Sequence, residues 1–566
     1  MATSADGPPR GIAPRPEICG VNATAQANSP VRTDVWVPHA AEPRGRSMKA
    51  RFLTLLIGLV GAAGWAGPTV NTAQGRLEGD TARGVSAFKA IPYAAPPVND
   101  LRWRAPRPAQ AWKGVRSATA FGAVCPQAQV TWAGHDLDRT SEDCLTLNVW
   151  TPRVTAGGRL PVLVWFHGGG YTAGAGSQRT YEGTTLARLG AVIVTINYRL
   201  GVLGYLAHPA LSKESPLGTS GNYGLLDQIA ALRWARANIA KFGGDPANVT
   251  IAGQSAGGGS AMLVTVSPLA RGLFQKAIFE SGTALGLPGA EGEAGLKQAE
   301  DAGTAYAQRL HAGTIAQLRA MPAAALVAAA APRIVTAPIR DGTVVPLDIT
   351  AAYRTGRDAG VPVLLGWNSN EAARFLDHAT LAGYAADVRQ TFPVIAPDLL
   401  RLYPASSDAT ATRAALDMMS DTDFGWRGWS IAEARTAKGD APVFVYQFDN
   451  PPPGVDGARS DGAVHSDELN YVWGNHDPAR RWPATDTAFA GLMQRYWITF
   501  ARTGNPNRVG LPQWAPYASG RMALWLRSSG SKRAPPLRAA TLRALDHVLH
   551  TEATPRRRSD GRATAR

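Results

Sequence analysis

An α/β fold, with a mostly parallel central sheet covered by helices on both faces, is predicted by three features of this 566-residue chain. First, several apolar runs have strand length and end in turn residues, among them Pro161–Phe166 and Ala191–Ile196. Such unbroken runs suit strands buried on both faces, as parallel strands are. Second, those runs alternate with helical stretches, an order that builds crossover connections. Third, Val249-Thr250-Ile251-Ala252 leads into Gly253-Gln254-Ser255-Ala256-Gly257 and then a small-residue helix start, a strand, sharp turn and helix in sequence.

The elements follow in order. Pro161–Phe166 and Ala191–Ile196 are the first clear strands. Tyr223 to Phe242 reads as a helix, because Leu226, Ile229, Leu232, Ile239 and Phe242 fall near one face and Gly243-Gly244 stops it. Further strands are expected at Val249–Ala252, Ala277–Glu280, Val363–Gly366 and Val443–Phe448. The alanine-rich piece from Ala290 to Ala331 reads as helical and is expected beside the sheet as part of a cap. Pro536 to His550 is expected to be a final helix with proline at its start. The basic tail at 551–566 reads as disordered, and no internal repeat is found.

Composition fits an ordinary globular chain, with 45% hydrophobic and 18% charged residues. The net charge of +15 raises the question of nucleic acid. Much of it sits at the ends: residues 1–66 carry seven basic against four acidic side chains, and the last twelve carry five against one. The remainder is spread thinly, without a basic stripe interleaved with aromatics, so no nucleic-acid partner is expected.

Met48-Lys49-Ala50-Arg51, the apolar stretch Phe52–Val60 and the small residues around Gly64-Trp65-Ala66 make the three parts of a secretory signal. Residues 48–66 are therefore expected to be a signal peptide, residues 1–47 a non-native extension, and residues 67–550 the folded domain. The apolar stretch is short for a bilayer span, so no stable membrane insertion is expected after cleavage. Export, to the periplasm or beyond, follows. Cleavage near Ala66 would remove Cys19 and leave Cys125 and Cys144, which an oxidising compartment favours as a bridge over two free thiols.

The turn around Ser255 names a reaction. A nucleophile elbow holds its serine in a strained conformation with the hydroxyl exposed, so the residues two before and two after must lack bulk; here both are glycine. A glycine-rich turn is the plainer reading. A serine there needs a base and an anion site. His465 alone among the downstream histidines sits on a long Gly/Pro-rich loop directly after a clear strand, although a surface histidine fits too. Glu371 lies just past strand Val363–Gly366, where it could orient an imidazole, or simply be a solvated glutamate at a helix start. His167-Gly168-Gly169-Gly170-Tyr171 follows strand Pro161–Phe166. Its backbone N–H groups, with that of Ala256, could hold an oxyanion.

With these features the chain resembles the type-B carboxylesterase family, the cholinesterase-like branch of the α/β-hydrolases, from Gly75 to about Trp525. The resemblance rests on Phe88–Ala94, Ser141-Glu142-Asp143-Cys144-Leu145 through Trp150, Asn197–Gly201, Phe242–Pro246, Tyr496-Trp497 with Phe500, Thr503–Asn507, and the Gly253–Gly258 run. It implies an α/β-hydrolase fold with a helical cap, and a secreted, bacterial-type serine carboxylesterase acting on a small-molecule ester. Its nucleophile falls on Ser255, its acid on Glu371 and its base on His465. Its oxyanion donors fall on Gly169, Gly170 and Ala256, a supporting serine on Ser281, and its first disulfide on Cys125 and Cys144. Ala90 and Asn99 stand where the family usually has glycine.

No cofactor is expected, and no metal: His547 and His550 read as exposed histidines of the last helix, and His465-x-x-Glu468 lacks a third ligand nearby. A lipase, or a hydrolase of aryl or polyester substrates, is the alternative within enzymes. A non-catalytic adhesion member of the same fold is the alternative outside them, but such proteins typically lose the serine. Trp132, between the two cysteines, could line a gorge or merely pack.

Overall fold

The computed structural model describes residues 67–130, 136–284, 294–330, 335–439 and 441–551. The signal-like segment, the upstream extension, Trp132 and the basic tail beyond Thr551 lie outside these residues.

Fourteen strands are present among them: β1 (Thr69–Asn71), β2 (Arg76–Glu78), β3 (Asp80–Ala82), β4 (Val85–Pro92), β5 (Val115–Ser117), β6 (Thr146–Thr151), β7 (Leu160–Phe166), β8 (Val192–Ile196), β9 (Gly244–Gln254), β10 (Lys276–Glu280), β11 (Val363–Asn368), β12 (Val443–Phe448), β13 (Ala523–Leu526) and β14 (Lys532–Ala534). Strands β1, β2 and β5 form a small separate sheet. The other eleven form one sheet in the order β14-β13-β12-β11-β10-β9-β7-β8-β6-β4-β3. From β13 through β8 the neighbours are parallel, and the outer pairs β13–β14, β8–β6, β6–β4 and β4–β3 are antiparallel. This is the mostly parallel sheet the apolar runs predicted.

Alternation along each buried strand feeds two cores. Val162, Val164 and Phe166 of β7 join one, with Leu225, Ile229 and Leu232 of helix Tyr223–Asn238 and Ile431 of helix Trp426–Lys438. Leu163 and Trp165 point the other way, to Met493, Trp497 and Phe500 of helix Ala484–Thr503. Helices thus cover both faces. The predicted helix over 223–242 ends as a tight turn at Ile239–Phe242, and Gly243 at φ 86° reverses the chain. The final helix starts at Ala539, a turn later than Pro536.

The alanine-rich piece folds as three short helices, Leu296–Arg309, Ile315–Ala320 and Ala323–Ala329. Thr314 caps the second by accepting from Gln317 N, and Pro322 precedes the third. These helices pack on Trp103, Leu203 and Tyr223 at one side of the main body. Cys125 and Cys144 form a disulfide with Cα atoms 5.1 Å apart. Two residues before Cys144, Glu142 takes two hydrogen bonds from the Arg102 guanidinium, at 2.7 and 2.5 Å. Arg102 also donates to the carbonyls of Arg319 and Met321, so the disulfide loop and the cap share one buried cation.

Ala90 and Asn99, where the family usually has glycine, both occupy the left-handed region, at φ 54° and 53°. Ala90 sits where the β4–β6 register shifts, and its N–H donates to Asn148 Oδ1. The backbone there favours glycine whichever residue fills it.

Candidate active site

Five neighbouring parallel strands, β7, β9, β10, β11 and β12, deliver the candidate residues at their carboxyl ends. Register aligns those ends: Phe166 pairs with Gly253, Gln254 with Glu280, Glu280 with Gly366, and Asn368 with Phe448.

Ser255 follows β9 at φ 57° and ψ −128°, a strained conformation for a residue with a side chain. Backbone bonds hold it on both sides: Ser255 N–H donates to Glu280 O at 2.9 Å, and Gly259 N–H donates to Ser255 O at 2.8 Å. The flanking glycines are there for room. A Cβ on Gly257 would lie 2.0 Å from Phe166 O, and one on Gly253 would lie 2.4 Å from the Gly257 carbonyl carbon. Helix Ala256–Val266 starts immediately, so the Ala256 N–H has no partner within the helix.

Glu371, buried after β11, is fixed before it meets the imidazole. Its Oε1 accepts from Ser281 Oγ at 2.5 Å and from Asn368 N at 2.7 Å. Its Oε2 lies 2.7 Å from His465 Nδ1. An ionised carboxylate has no proton to give, so Nδ1 carries the hydrogen and the neutral ring keeps its lone pair on Nε2. That nitrogen faces the elbow, 3.2 Å from the side-chain nitrogen of Gln254, the residue before Ser255. The rings of Phe424 and Phe375 pack against the imidazole with centroids 4.6 and 5.3 Å away. Arg374 holds the His465 carbonyl at 2.8 Å.

The glycine loop after β7 closes on the same point. Gly169 and Gly170 have φ of 111° and 61°, which glycine alone adopts readily. A Cβ on Gly168 would lie 3.2 Å from Ser255 Cβ, so this loop abuts the elbow. The structure thus gathers Ser255, Ala256, Ser281, Glu371, His465, Gly169 and Gly170 around the ends of adjacent strands.

Several residues here were not singled out from sequence. His167 is fully buried, stacked on Tyr198 at 4.3 Å, and donates from Nδ1 to Gly168 O at 2.8 Å. Burial lowers its pKa to about 4, so it stays neutral and shapes the loop. Glu280, under the elbow, accepts from Trp497 Nε1 at 2.7 Å, and burial pushes its carboxyl up to about 8. Glu468 takes a bond from Asn368 Nδ2 at 2.5 Å. Burial, and then the nearby charges of Glu371 and Glu280, raise it well above the usual glutamate range. Burial thus biases both acids toward their protonated forms. Only the place of Glu280 at a strand end beside Ser281 and the His465-x-x-Glu468 spacing hinted at them.

The sequence pattern of the Carboxylesterase family matches residues 66–534. The chain belongs to that family. Fumonisin B1 esterase of Sphingopyxis macrogoltabida is 37% identical over 513 residues, covering 86% of this chain and 92% of the relative. Para-nitrobenzyl esterase of Bacillus subtilis (strain 168) is 37% identical over 476 residues, covering 79% and 92%. A solved structure of PNB esterase superposes with a TM-score of 0.72 at 34% identity, covering 84% of this chain and 99% of that one. The fold is accordingly the α/β-hydrolase fold, and the chain is a carboxylic ester hydrolase.

Proposed function

We propose that this carboxylesterase works through an acyl-enzyme, with Ser255 as nucleophile, His465 as general base and acid, and Glu371 as the anion that orients and steadies the imidazole. One observation carries this reading: the His465 ring is held by Glu371 on Nδ1 at 2.7 Å while its Nε2 edge faces the strained elbow bearing Ser255. Ser255 Oγ attacks the ester carbonyl as its proton passes to Nε2. The N–H groups of Gly169, Gly170 and Ala256 receive the developing oxyanion, each donor worth ~3–4 kcal/mol. Collapse expels the alcohol, which takes the proton back from the imidazolium. Water then attacks the acyl-enzyme by the same route and frees the acid. Ser281 supports the triad by fixing Glu371.

The names of the relatives, esterases of fumonisin B1 and of para-nitrobenzyl substrates, favour small-molecule esters over long-chain lipids. A series of p-nitrophenyl esters of rising acyl length tests both points. Turnover is expected to fall with chain length and to stop when one organophosphate per chain attaches to Ser255. An adduct on another serine, or no turnover on any member, overturns the assignment.

Export is proposed alongside, on the signal-like residues 48–66 and a disulfide of the kind oxidising compartments preserve. N-terminal sequencing of the exported protein should then begin near Gly67, and retention of residues 1–47 would refute it.

A further inference from the structure

We infer that Gln254 is a positioning residue that follows the proton on His465, offering its N–H to the neutral ring and its carbonyl oxygen to the imidazolium, with Ser466 partnering either orientation. This rests on the reading of His465 as the base.

Gln254 is the last residue of β9 and is buried. Its Nε2 lies 3.2 Å from His465 Nε2 and 2.9 Å from Ser466 Oγ. Because Glu371 fixes the ring hydrogen on Nδ1, Nε2 of the neutral ring is an acceptor and the amide must be the donor. That lone pair is the one that takes the proton of Ser255. Once Nε2 carries a hydrogen, an N–H would face an NH2 group, two donors with no acceptor between them.

A half-turn of the terminal amide resolves the clash. The last torsion of glutamine is broad and two-fold, so the rotation meets no staggered barrier of its own. It brings Oε1 to the place of Nε2, where it accepts from the imidazolium. Ser466 completes the exchange, since a hydroxyl accepts from the NH2 in one state and donates to the oxygen in the other. The contacts to His465 and Ser466 are kept in either state.

Two neighbours are built for this. Gly168 lies opposite the amide, and a Cβ there would stand 3.0 Å from Gln254 Oε1. Its backbone is not left-handed, so glycine serves there for space: a Cβ would also stand 2.8 Å from the Gln254 backbone oxygen, and its lack leaves the amide unobstructed on this side. Ser466 has φ 74°, an uncommon conformation that aims its hydroxyl at Gln254.

Other ionisable groups surround His465: Glu371 at Nδ1, Asp423 on the turn Asp421–Gly425, Arg374 at the His465 carbonyl, and Asp467 and Glu468 on its own loop, where they pair with Arg374 and Asn368. All stay in place when Gln254 alone is changed. A neutral amide that serves both states leaves the balance of charge to them. A carboxylate at position 254 accepts only, and would favour the imidazolium.

The test compares wild type with Gln254→Glu and Gln254→Met, using kcat/KM on p-nitrophenyl acetate against pH and 15N NMR of the histidine ring in the resting enzyme, with His465→Gln to assign the signal. Gln254→Glu is expected to move the acid limb, and the His465 NMR midpoint with it, upward by about one pH unit or more. Well below the wild-type midpoint its kcat/KM should fall roughly tenfold, with recovery on the alkaline side. Gln254→Met, which serves neither state, should lower kcat at every pH and leave the midpoint near wild type. Midpoints that coincide in all three proteins would overturn the inference, as would Glu and Met shifting together, the mark of a packing role. Because the NMR midpoint needs no turnover, it decides the point even if the esterase mechanism proposed above fails.

Discussion

Replacing Ser255 with alanine is expected to reduce kcat by about a million-fold, the scale seen when the nucleophile of such a unit is removed. Residual hydrolysis would come from the anion site and from binding. The fold should be untouched. Both hydrogen bonds that hold the elbow, to Glu280 O and from Gly259 N, belong to the backbone of residue 255. Alanine carries the same Cβ into the same left-handed conformation, so the melting temperature should match wild type. Organophosphate labelling should vanish with activity. Labelling that survives in Ser255→Ala, or turnover above background in a correctly folded variant, would show that the nucleophile lies elsewhere.

Glu371→Gln is expected to cost about a thousand- to ten-thousand-fold in kcat, for a reason readable in its bonds. Oε1 of Glu371 accepts from the Asn368 N–H, a donor that cannot reverse. A glutamine must keep its oxygen on that side, which turns its NH2 toward His465 Nδ1. The ring then has to accept at Nδ1 and carry its hydrogen on Nε2, the nitrogen that should receive the proton of Ser255. The base is present but in the wrong tautomer. Steady-state kinetics, with KM expected to change far less than kcat, checks this. A loss under tenfold would mean that Glu371 does not set the tautomer.

The parts of this structure legible in sequence are those whose physics is local. Strands β7 to β12 could be read because burial on both faces demands unbroken apolar runs. The elbow could be read because Gly253 and Gly257 meet backbone at 2.4 Å or less. The antiparallel margin of β3, β4 and β6 is not legible in the same way; β4 alternates buried and half-buried residues around a register shift, and β3 is three residues long. The helices between Leu381 and Lys438 were not identified either, since their apolar faces answer to partners distant in the chain. Within the site, Ser255, Glu371 and His465 stood out by their place after strands and by family resemblance. Gln254 did not, because its contact with His465 joins residues 211 positions apart.

One wide turn interrupts the long helical run from Asp408 to Lys438: residues Asp421–Gly425 wind as a π-turn between two α-helical stretches. It brings Phe424 against the His465 ring while Trp429 and Ile431, farther along, enter the core. A π-turn holds one residue more than the α-helical turn it replaces. It therefore works as a phase shift of roughly 100°, one residue's rotation, between the two halves. Deleting any single residue here would let the helix wind evenly and force a choice between the aromatic wall of the imidazole and the seating of the second half. The number of residues along this rod is thus as constrained as their identity.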